Sequence, residues 1–176
     1  MTLGPDLQRQ PRPSDDDLRG HYRFATSYFE LLKANFPPLA EFFDAKDYAK
    51  VVAKYRGTSG GHVLFRPAGL LMFTEIISTL HQTHGLKVSV ALAATLPQKL
   101  NEEPYADLLW TISPPSVNNK RRSLVRELLL YGLGAREKLD RLVEQYRNAT
   151  GSTVVKASQF IRRLRKRIKA AAKAED

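Results

Sequence analysis

Pro67-Ala-Gly-Leu-Leu-Met-Phe-Thr-Glu-Ile-Ile-Ser-Thr-Leu-His-Gln-Thr-His-Gly85 sets the fold class of this chain. Leu70, Leu71, Phe73, Ile76, Ile77 and Leu80 recur at helical spacing, Pro67 suits a first helical turn, and Gly85 supplies a stop. So apolar a helix is expected at the centre of a core, with other helices packed on it. Downstream, Leu86 to Leu96 reads as helix or strand, since Val88, Val90 and Leu92 alternate while the alanines favour helix. The helical reading is preferred.

Upstream, Ser14 is a good N-cap. Asp15, Asp16 and Asp17 complement the dipole of a helix over about 15–34, with Tyr22, Ala25, Phe29 and Leu32 at helical spacing. Pro37 and Pro38 open a short second helix containing Phe42 and Phe43, and a third runs over 47–56 until Gly57 and its neighbours stop it. His62-Val-Leu-Phe65 is β-prone and bounded by glycines and Pro67, so a buried strand or extended linker is expected there. Leu108-Leu-Trp-Thr-Ile112 is a second candidate strand, cut off by Pro114 and Pro115. These two segments would pair. Further helices are expected from Asn118 or Asn119 to about 133, over 135–148, and from about Ser158 onward.

The expected architecture is therefore mainly α, of α+β type, with a small two-stranded element and a basic C-terminal helix. Residues 1–13 read as a flexible tail, 14–155 as a helical domain and 156–176 as the basic helix. With 176 residues, 43% hydrophobic and 26% charged, one globular domain with tails is the natural size class. The chain has no cysteine, which excludes disulfides and thiolate zinc sites. No apolar run approaches the roughly 20 residues of a membrane span, and no signal sequence is evident, so a cytoplasmic protein without membrane contact is expected.

Charge is the most informative feature. The formal net charge is +10, yet residues 1–117 carry 12 Lys/Arg against 12 Asp/Glu, while residues 118–176 carry 16 against 6. Such a field attracts polyanions. In Ser158-Gln-Phe-Ile-Arg-Arg-Leu-Arg-Lys-Arg-Ile-Lys169, Phe160, Ile161, Leu164 and Ile168 form one stripe, and Arg162, Arg163, Arg165, Lys166, Arg167 and Lys169 cover the rest. Lys120, Arg121 and Arg122 sit near a helix start, where cations oppose the dipole unless an anion is present. These nine cations are the candidate nucleic-acid contacts. Solvated surface charge is the plain alternative for all of them.

Other constellations carry less. His62 and Arg66 flank an apolar segment beside flexible glycines and form a possible pocket. Local hydrogen bonding explains them as well. His81 and His84 are two ligands where a metal needs more. Glu102, Glu103 and Asp107 fit turn and helix-start chemistry as well as catalysis, and Gly57, Gly60 and Gly61 lack the Gly-Lys-Ser/Thr ending of a P-loop. No catalytic residue, metal or cofactor is expected, and an enzymatic role is the less favoured reading.

Three stretches together resemble the C-terminal half of the DGQHR-domain proteins, a family that includes regulators of DNA sulfur modification. They are Thr58-Ser-Gly-Gly-His-Val-Leu-Phe-Arg-Pro-Ala-Gly69, Leu96-Pro-Gln-Lys-Leu-Asn-Glu-Glu-Pro-Tyr-Ala-Asp-Leu-Leu-Trp110 and Asn119-Lys-Arg-Arg-Ser-Leu-Val-Arg-Glu-Leu-Leu-Leu-Tyr-Gly-Leu-Gly134. Tyr28-Phe-Glu-Leu-Leu-Lys-Ala-Asn-Phe-Pro37 is similar to that family's helical insertion. The Asp-Gly-Gln-His-Arg motif itself does not occur in the chain. The resemblance implies a DNA-binding accessory or regulatory component of a DNA-modification or phage-defence system, with a partner protein supplying the missing half. The alternatives are the helical half of a split or truncated enzyme of that type, or a protein-interaction module that binds no nucleic acid.

Overall fold

The computed structural model describes residues 13–174. Residues 1–12 of the expected flexible tail lie outside that range. Seven α-helices and one two-stranded antiparallel sheet are present among the described residues: α1 Asp15–Asn35, α2 Pro37–Asp44, α3 Tyr48–Tyr55, α4 Pro67–Ala94, α5 Arg122–Leu133, α6 Leu139–Thr150, α7 Val154–Ala174, β1 Trp110–Thr111 and β2 Ser116–Val117. The mainly helical class with a small β element is thus observed.

Several boundaries follow from local chemistry. Ser14 and Asp17 form a reciprocal capping box, the Asp17 amide donating to Ser14 Oγ and the Ser14 amide to the Asp17 carboxylate. The Ser14 hydroxyl also donates to Asp17 Oδ2 at 2.6 Å, and this bond, with that from the Ser14 amide, holds the Asp17 carboxyl below its ordinary pKa. Pro37 and Pro38 sit in the first turn of α2. At Gly85 the backbone takes φ 72°, which kinks α4 into two helical segments, so the ambiguous 86–94 stretch is indeed helical. Gly134 and Gly151 end α5 and α6 in left-handed conformations.

Three expectations are corrected. Val63–Phe65 is a 3₁₀ turn, not a strand, because His62 Nδ1 accepts the Leu64 amide and pulls the chain into a tight turn. Its neighbours pair with a different segment, the Val63 amide donating to the Gln98 carbonyl and the Leu100 amide to that of Gly61. β1 therefore pairs locally with β2, Trp110 opposite Val117 and Thr111 opposite Ser116, the chain reversing through Pro114 and Pro115. Neither Asn118 nor Asn119 caps α5 with its side chain. A 3₁₀ turn over Asn119–Arg121 leads in, and the Asn118 amide is spent on the Leu109 carbonyl.

The last two helices are also displaced from expectation. α6 begins at Leu139 because the Ala135 amide closes back on the Leu130 carbonyl, a Schellman-type end that keeps 135–138 out of the helix. α7 begins at Val154, four residues before Ser158, because the Thr153 carbonyl already accepts the Ala157 amide.

One contiguous core runs through all of this. Its largest fully buried members include Phe36, Met72, Phe73, Ile76, Tyr105 and Leu128–Leu130, and Ala157, Ile161, Leu164 and Ile168 of α7 belong to the same cluster. Leu70 and Leu71, expected inside, are about half exposed. The inward face of α4 is set instead by Gly69, Met72, Phe73, Ile76, Ile77 and Leu80. α7 rests mainly on α5 and α6, where Phe160 stacks on Tyr146 at 4.6 Å between ring centroids. No described helix is long and apolar enough to cross a membrane.

Candidate nucleic-acid interface

The buried stripe of α7 orients its cations in three directions. On one flank, Arg163 Nη2 lies 2.7 Å from Glu103 Oε1, and Arg167 Nη2 donates to the Glu103 carbonyl at 2.7 Å, with Nη1 3.8 Å from Oε2. Both arginines face an acid before any ligand arrives. On the other flank, Arg165 is half-buried, its guanidinium 4.5 Å from the Tyr131 ring centroid and Nη1 3.1 Å from the Tyr131 hydroxyl. Its Nε is buried without a hydrogen-bond partner, so this side chain serves packing more than solution chemistry.

The third direction is opposite the core. Arg162, Lys166, Lys169 and Lys173 step by four, three and four residues, which places them along one line of the helix. All four are exposed. None makes an ion pair within 4.0 Å among the described residues. The ridge is about 17 Å long at 1.5 Å per residue. Its last member, Lys173, lies beyond the six α7 cations expected from the sequence, although the same spacing reaches it.

The second expected cluster is divided. Arg122 Nη2 lies 3.3 Å from Glu75 Oε1, and Arg126 joins the same carboxylate at 2.9 Å. Arg121 Nη1 donates to the Asp107 carbonyl at 2.9 Å. Lys120 alone is exposed and outside every ion pair among the described residues. Gly132 packs against Ile168, and Lys120 lies in the 3₁₀ turn before α5, whose first residue Arg122 is already about 15 Å along the helix from Gly132. The fold therefore does not merge Lys120 with that end of the ridge.

His62 and Arg66 are both engaged in local contacts. The His62 ring is buried, Nδ1 accepting the Leu64 amide at 3.2 Å and Nε2 lying 2.7 Å from Gln98 Oε1. That pattern requires the neutral ring with the proton on Nε2, and burial pulls its pKa below the ordinary value. Arg66 donates to the Arg56 and Gly60 carbonyls at 2.9 and 3.3 Å and lies over the Trp110 ring at 5.0 Å. Both residues tie the 57–66 loop to the body. Among the described residues, no group of three His, Asp or Glu side chains is placed to hold a metal ion.

An open cleft of about 720 Å³ between α5 and α6 has Arg126, Arg136, Lys138 and Arg141 in its walls. Its charge is partly balanced from within, because Glu127 pairs with both Arg126 and Arg136. Sequence reading missed this cleft, since its residues come from two helices and the turn between them. Compared with protein-family models, curated proteins and solved structures, the chain matches none.

Proposed function

We propose that the chain is a DNA-binding accessory or regulatory component of a DNA-modification or phage-defence system, contacting duplex phosphates through the outward ridge of α7. The carrying observation is the alignment of Arg162, Lys166, Lys169 and Lys173 on one exposed line without acidic partners among the described residues. Four cations over about 17 Å meet a polyanion that carries one charge per about 1.7 Å of its axis. Affinity then comes from released counterions and is independent of base sequence. The system assignment rests on the likeness of 58–69, 96–110 and 119–134 to the DGQHR-domain proteins. The modification chemistry then belongs to a partner polypeptide carrying the motif that this chain lacks.

Fluorescence anisotropy with a labelled duplex across a salt series tests the interface. Four phosphate contacts give a slope of about −3.6 in log K against log salt, or roughly 150-fold weaker binding between 50 and 200 mM. Changing Arg162, Lys166, Lys169 and Lys173 together to Gln removes that slope, whereas Arg163→Gln with Arg167→Gln leaves most of it. Absence of binding at low ionic strength, or a slope indifferent to the ridge variant, overturns the proposal.

A further inference from the structure

Arg163 and Arg167 stand one turn apart on α7 and converge on a single anion. The Glu103 carboxylate takes Arg163 Nη2 at 2.7 Å and lies 3.8 Å from Arg167 Nη1, while Arg167 Nη2 donates to the Glu103 carbonyl at 2.7 Å. Two like charges at this spacing repel unless an anion sits between them, and the guanidinium fork fits carboxylate and phosphate oxygens alike. Glu103 thus occupies the position a phosphate would take. The partners differ in freedom. Glu103 is held by its loop, because Tyr105 is fully buried, its hydroxyl donating to the Pro97 carbonyl and its amide to that of Glu102. The arginine side chains are 65% and 49% exposed and reach Glu103 on long flexible stems. They can leave the acid, which the loop keeps where it is. Arg163 also stands about 60° around the helix from Lys166, as residues three apart do, so it borders the ridge.

We propose that Glu103 is an internal competitor of DNA phosphate, holding Arg163 and Arg167 out of the duplex interface of α7 and thereby setting the affinity of that interface. This rests on the ridge reading above and concerns its regulation. In the parent chain Arg162, Lys166, Lys169 and Lys173 supply four contacts, while Arg163 and Arg167 stay on the acid. With the Glu103 charge removed, Arg163 becomes free and Arg167 keeps only its bond to the Glu103 carbonyl. One to two phosphate contacts are then added. The slope of log K against log salt moves from about −3.6 to between about −4.5 and −5.4. The loss of affinity between 50 and 200 mM salt grows from roughly 150-fold to roughly 500–1,800-fold. Because an exposed ion pair is weak, the exchange between carboxylate and phosphate is reversible.

Duplex anisotropy across the same salt series, on the full-length parent, Glu103→Gln and Glu102→Gln, tests this. Glu103→Gln is expected to bind several-fold more tightly at low salt and to show the steeper slope, with its helical circular dichroism intact. Glu102→Gln makes the same charge change one residue away, on a side chain that faces Lys99 at 3.6 Å, and is expected to keep the parent slope. Adding Arg163→Gln and Arg167→Gln to Glu103→Gln should return the slope to about −3.6. No binding by either the parent or Glu103→Gln overturns the ridge reading, and this proposal with it. Ridge-dependent binding by the parent with an unchanged slope in Glu103→Gln overturns the competitor role alone. So does an equal gain in Glu102→Gln, or a steeper slope that survives the loss of both arginines.

Discussion

The docking of α7 on α5 presents the ridge, and one close contact makes it measurable. A Cβ at Gly132 would lie 2.3 Å from Ile168 Cδ1 and 3.3 Å from its Cβ and Cγ1. Gly132→Ala alone gains about 1 kcal/mol of helix propensity but overpacks a buried site at a cost of about 1–3 kcal/mol. The net is about 0–2 kcal/mol of destabilisation. Ile168→Val removes Cδ1, the atom responsible for the worst contact, at a cost of about 0.5–1.5 kcal/mol when made alone. In the Val background the clash at 2.3 Å is gone, so Gly132→Ala becomes neutral to stabilising. The two changes should couple favourably by about 1–2 kcal/mol, far outside the roughly 0.5 kcal/mol within which independent sites add. Urea denaturation followed by circular dichroism on the four proteins of the cycle gives this number directly. Additivity within about 0.5 kcal/mol would mean that α7 does not lie on α5 as described, and the division of its cations into flanks and ridge would lose its basis.

Two further outcomes follow from the loop around His62. His62 is neutral when folded and its pKa is depressed by burial, so the unfolded chain binds the extra proton first as acidity increases. Stability contributed by this ring is complete above the ordinary value of 6.5 and declines as pH falls from there towards the folded value. The urea midpoint should therefore drop between pH 7.5 and 5.5, and His62→Asn, which keeps an acceptor for the Leu64 amide, should flatten that drop. An equal drop in His62→Asn would rule His62 out as its source. At Gly69, an added Cβ would stand 2.1 Å from the Val63 carbonyl oxygen and 2.6 Å from its Cγ2. Backbone cannot rotate away, so Gly69→Ala should destabilise by about 2 kcal/mol or more despite its better helix propensity. A variant as stable as the parent would show that α4 and the 63–65 turn are not in contact.

Much of the fold is legible in the residues alone, because the deciding interactions span a few positions. The capping box of Ser14 and Asp17, the prolines opening α2, the kink at Gly85 and the stops at Gly134 and Gly151 all act within one or two turns. So does the stripe of Ile161, Leu164 and Ile168 that makes α7 amphipathic. The excess of positive charge beyond residue 117 is likewise a property of the sequence.

Which of those charges face solvent unpaired is decided only by tertiary structure. Arg163 meets Glu103 from 60 positions away, Arg165 meets Tyr131 from 34, and Arg122 meets Glu75 from 47. No local pattern encodes such partners, since periodicity says which face of a helix is polar but not what stands opposite it. The same limit explains why Val63–Phe65 reads as a strand or extended linker and folds as a turn, its pairing edge at Gln98 and Leu100 being more than thirty residues downstream. It also explains α1, whose apolar stripe is uniform in sequence yet buried at Leu32 and open at Tyr22. Short-range order comes from caps and spacing, while burial and ion pairing depend on where the rest of the chain is brought.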